Sequence, residues 1–78
     1  MGNKEIDDAI LAASSQEWLK VTMVILRTKE ALRLPEKWAI PQVAKRIRTL
    51  ARKGELELAG NPYNGRRSEV RRPLRSNV

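Results

Sequence analysis

Apolar residues first recur at Ile6, Ala9, Ile10 and Ala13, spacings of three and four that put them on one face of a helix. Glu5, Asp7 and Asp8 fall in its opening turns, where carboxylates complement the positive end of the helix dipole. Ser14-Ser15-Gln16-Glu17 fits a capping box, so a second helix is predicted to start there. Trp18, Val21, Ile25 and Leu32 form its apolar stripe, widened by Met23, Val24 and Leu26. Trp18 reads as a core anchor on that stripe. The helix should end before Pro35, which disfavours a helical Leu34.

Leu34 to Ile40 reads as a connection, and Pro41 suits the first position of a third helix, where its missing amide hydrogen is not needed. Val43, Ala44, Ile47, Leu50 and Ala51 repeat as one apolar face, and Gly54 is the expected residue just past the helix end. There the period changes to two. Glu55-Leu56-Glu57-Leu58 alternates polar and apolar, 60–65 is dense in turn formers, and Arg67-Ser68-Glu69-Val70-Arg71 returns as a second strand. Pro73 ends the pairing, and 74–78 is expected to be a disordered basic tail. The predicted core joins Ile10, Trp18, Val21, Ile25, Val43, Ile47, Leu50 and Leu56.

A chain of 78 residues is too short for two cores, so 1–78 is one domain with its folded part at about 5–73. Cysteine and histidine are both absent. A disulfide framework, a thiolate metal site and the commonest general base near neutral pH are thereby excluded, and no metal, cofactor or catalytic residue is assigned. The chain is expected not to be an enzyme. No stretch approaches the roughly 20 apolar residues of a membrane span, and Ile6 occupies the place where a myristoylation signal needs Ser or Thr. A cytoplasmic location is the default expectation.

The charge distribution changes this picture. Six basic residues balance six acidic ones through Pro41, whereas from Gln42 onward ten basic residues face only Glu55, Glu57 and Glu69, which puts the whole net charge of +7 in the C-terminal half. Such asymmetry is an electrostatic footprint for a polyanion. On the third helix Gln42, Lys45, Arg46, Thr49 and Lys53 form a stripe turned from Val43, Ile47 and Leu50, with Arg48 and Arg52 flanking it. Gln reads adenine and Arg or Lys reads guanine in the major groove. Lys45 and Arg46 are accordingly expected to discriminate sequence, and Arg66 and Arg67, in the hairpin turn, to hold phosphate. Tyr63, in the same turn, either packs on a sugar or covers the hairpin.

Helix, helix, turn, helix and hairpin is the element order of an α+β winged helix-turn-helix, three helices with a two-stranded wing. The run Ala44-Lys45-Arg46-Ile47-Arg48-Thr49-Leu50-Ala51-Arg52-Lys53-Gly54-Glu55-Leu56 resembles the recognition helix and first wing strand of bacterial winged-helix regulators. The resemblance covers about 5–73 and implies a bacterial or phage DNA-binding protein, a transcriptional regulator or accessory factor, with duplex DNA as partner. Asp8-Ala9-Ile10-Leu11-Ala12, Gly54-Glu55-Leu56-Glu57 and Ser68-Glu69-Val70-Arg71 also resemble a bacterial domain family of unknown function, often fused behind another domain. The alternative reading is a winged-helix interaction module with an acidic protein partner; RNA is a third, without the aromatic platform that single strands require. A homodimer is expected of a sequence-specific repressor, with Leu11, Leu19, Met23 and Trp38 as apolar candidates for its interface.

Overall fold

A computed structural model describes residues 2–74. Helix α1 (Asn3–Ala13) is followed by strand β1 (Leu19–Lys20), helices α2 (Val21–Leu32) and α3 (Glu36–Arg52), and strands β2 (Glu57–Ala59) and β3 (Glu69–Arg71). The architecture is α+β, three helices against a three-stranded antiparallel sheet of order β1-β3-β2. The hairpin is therefore completed by a third strand, with Leu19 opposite Val70 and Val70 opposite Leu58. The last four residues of the expected tail lie outside the described residues.

Three expectations are corrected. First, the Ser14 to Glu17 run ends a helix and does not begin one. The Ser14 hydroxyl donates backward to the Ile10 carbonyl at 2.7 Å, and the Glu17 amide donates to Ser15 Oγ at 3.1 Å, which closes a local turn. The chain emerges extended into β1, and α2 starts at Val21 with no side-chain cap. Its first amides are satisfied from across the molecule: Val21 donates to the Ser68 carbonyl at 3.0 Å and Thr22 to that of Gly65 at 3.2 Å.

Second, Trp18 is not in the core. It precedes β1 and is 40% exposed, with the Arg71 guanidinium 4.6 Å from its ring centroid. Arg71 also donates twice to Glu57 Oε2, at 3.0 and 2.9 Å. Arg71 of β3 thus links Glu57 of β2 to Trp18, the residue before β1. The other expected core residues are buried, joined by Ile6, Val24, Ala39, Ala44 and Val70.

Third, α3 begins at Glu36, and Pro41 lies inside it. The Pro35 carbonyl opens the helix by accepting from the amides of Trp38 and Ala39 at 3.1 and 2.8 Å. Ala39 is wholly buried one turn before Val43, so the apolar face runs past the proline and tertiary burial outweighs the lost amide donor. Gly54, at φ +81°, closes the far end as expected, and the Glu55 amide returns to the Leu50 carbonyl at 3.0 Å.

Candidate nucleic-acid interface

The early start of α3 resets which of its residues face outward. Successive residues turn by about 100°, so Trp38, Lys45 and Arg52, seven apart, share one azimuth opposite the buried Ala39, Val43, Ile47 and Leu50. Pro41 and Arg48 border that line on one side, Gln42 and Thr49 on the other. Trp38 is 41% exposed; the sequence reading, which began the helix at Pro41, named it only as a candidate for a dimer interface and not as part of this face. Its position seven before Lys45, together with Ala39 four before Val43, is the signal that could have found it.

Arg46 leaves the stripe. Its Nε and Nη2 donate to Asp7 Oδ1 and Oδ2, each at 2.8 Å, and both side chains are only 16% exposed. The hydrogen bond to Asp7 holds the Arg46 guanidinium above its usual pKa, so it is cationic at every working pH, and it clamps α3 to α1. Arg46, expected to discriminate sequence, thus has its Nε–Nη2 edge engaged by Asp7. Thr49 is half-buried and its hydroxyl donates back to the Lys45 carbonyl at 3.1 Å. Gln42, Lys45, Arg52 and Lys53 are exposed, and Arg48 is half-buried.

Arg48 connects α3 to the loop between β2 and β3, its guanidinium 5.4 Å from the centroid of the Tyr63 ring. That loop is a built structure. The Asn64 amide donates to the Asn61 carbonyl at 2.9 Å, the Arg67 amide to that of Asn64 at 3.1 Å, and the buried Ser68 hydroxyl to the same Asn64 carbonyl at 2.8 Å. Arg66 and Arg67 are both exposed on it. Arg66 lies over α2, beside Met23 and Leu26. The Tyr63 ring faces the Arg48 guanidinium, and the residue is 51% exposed.

Two of the three carboxylates of α1 have partners. Asp7 serves Arg46, and Asp8 accepts from Lys4 at 2.8 Å one turn away. Among the described residues no three carboxylates gather where they could hold a metal ion, and no helix is long and apolar enough to cross a membrane. Of the residues weighed for a dimer face, Leu11 and Leu19 pack partly against the core, whereas Met23 and Trp38 stay exposed. Comparison of the chain with protein-family models, with curated proteins and with solved structures finds no match.

Proposed function

We propose that this chain is a winged helix-turn-helix module that binds duplex DNA, in a bacterial or phage regulator or accessory factor. Helices α2 and α3 form the helix-turn-helix, and the 60–68 loop is the wing. The element order and the sheet order β1-β3-β2 are compatible with that fold. The observation that carries the functional reading is the charge of α3. From Lys37 to Lys53 the chain has six cations and no carboxylate, and of these only Arg46 is in a salt bridge among the described residues.

Lys45 and Arg52 stand two turns apart on the outward line, with Arg48 between them beside the wing. Such a row meets phosphate along one edge of a groove, and phosphate contacts supply affinity with little sequence information. Base reading falls to Gln42 and Lys45, because Arg46 is held by Asp7 and the Thr49 hydroxyl is occupied by its own helix. Binding should therefore be strong at low salt and only modestly selective. Titration of the isotopically labelled protein with a mixed-sequence duplex tests this. Amide shifts should concentrate on 37–53 and on the loop around Tyr63; shifts confined to α1, or none at low salt, would contradict it.

A further inference from the structure

A second exposed surface has the opposite character from α3. Met23 and Leu26, three apart on α2, point away from the buried Val21, Val24, Ile25 and Thr28 and are 44% and 45% exposed. With Lys20, Thr22 and Arg66 they line an open cleft of about 310 Å³ between the start of α2 and the 60–68 loop. Its lining is apolar, and the cations Lys20 and Arg66 border it. Neither Lys20 nor Arg66 forms a salt bridge among the described residues.

The rim is held in place by the backbone. The Thr22 amide donates to the Gly65 carbonyl at 3.2 Å, so Arg66 follows directly from a residue pinned to α2. Gly65 is required there, because a Cβ would stand 2.6 Å from Thr22 Oγ1 and 3.1 Å from Thr22 N. The cleft is thus preformed, and a ligand need not order the loop to use it.

We infer that this cleft docks an acidic peptide segment of a partner protein, one that sets apolar side chains beside carboxylates. Met23 and Leu26 gain from contact with apolar side chains, at roughly 25 cal/mol per Å² removed from water, and the flexible thioether of Met23 adapts to differing shapes. Lys20 and Arg66 select carboxylates alongside and reject basic segments. A duplex fits this floor poorly, since it would lay a hydrated sugar-phosphate surface on two apolar side chains. The site shares Arg66 with the proposed wing but involves none of the outward cations of α3, so Met23 and Leu26 test it separately from duplex binding.

Selection of displayed random peptides of about twelve residues on the full chain tests the inference. The enriched peptides should combine two apolar residues with two or more carboxylates and shift the amides of Lys20, Thr22, Met23, Leu26 and Arg66. Met23→Ser with Leu26→Ser should weaken them at least about tenfold, and so should Lys20→Glu with Arg66→Glu. All four side chains are largely outside the core, and the melting temperature of each double variant checks that the fold persists. Duplex affinity at α3 should survive the Met23 and Leu26 changes. The inference is overturned if no peptide is enriched, if enriched peptides are basic or uncharged, if they bind both double variants as well as the parent, or if duplex DNA alone shifts the same five amides.

Discussion

At the scale of single residues, the most informative side chain is Arg46. Its two bonds to Asp7 are nearly removed from water, so Arg46→Ala leaves a half-buried carboxylate without its partner. The expected cost is about 1–3 kcal/mol of stability, read as a lower melting temperature, while duplex affinity at low salt stays near the parent's. A larger loss of affinity than Lys45→Ala gives would return Arg46 to the interface. Thr28 is the converse case: its hydroxyl is buried among apolar neighbours with no hydrogen-bond partner. Thr28→Val keeps the branched shape and removes the desolvated oxygen, so it should stabilise by roughly 1 kcal/mol, measured by chemical denaturation. A less stable variant would mean that the hydroxyl is satisfied in solution. Neither role was legible in the sequence. Arg46 differs from Lys45 by one position, and only the packing of α1 against α3 decides which of the two is spent.

At the scale of elements, the apolar periods located all three helices, and the closing glycine of α3 stood where expected. Boundaries failed where two local signals competed. Pro35 and Pro41 both suit a helix start, and the burial of Ala39, a long-range fact, selects the first. The serines at 14 and 15 serve equally as start and stop signals, and the pairing of Leu19 with Val70 decides for the stop. A strand of two residues has no period to read, so β1 could not be seen in advance. The cap of α2 is equally non-local, since it comes from the 60–68 loop. Gly65→Ala should push that loop off Thr22. We expect a loss of about 1–2 kcal/mol together with faster hydrogen exchange at Val21 and Thr22, the two amides it leaves open. Unchanged exchange at both would show that the loop does not cap the helix.

At the scale of the whole molecule, composition was a better guide than any single motif. The charge asymmetry along the chain places its excess cations on α3, the 60–68 loop and the segment that follows, and the fold turns most of the α3 cations outward. What the sequence could not divide was this basic half into parts. Arg46 clamps two helices, Arg71 braces the sheet under Trp18, Arg66 borders an apolar cleft, and Lys45, Arg48 and Arg52 remain as an outward row. The central claim is that this row neutralises phosphate. It is tested most directly by the slope of log affinity against log salt concentration for one short duplex, in the parent and in Lys45→Ala with Arg52→Ala. Each phosphate contact contributes about 0.9 to that slope, so the double variant should be shallower by about two, with Arg46→Ala, as control, keeping the parent's slope. A parent slope near zero, or the same slope in the parent and the double variant, would contradict the account.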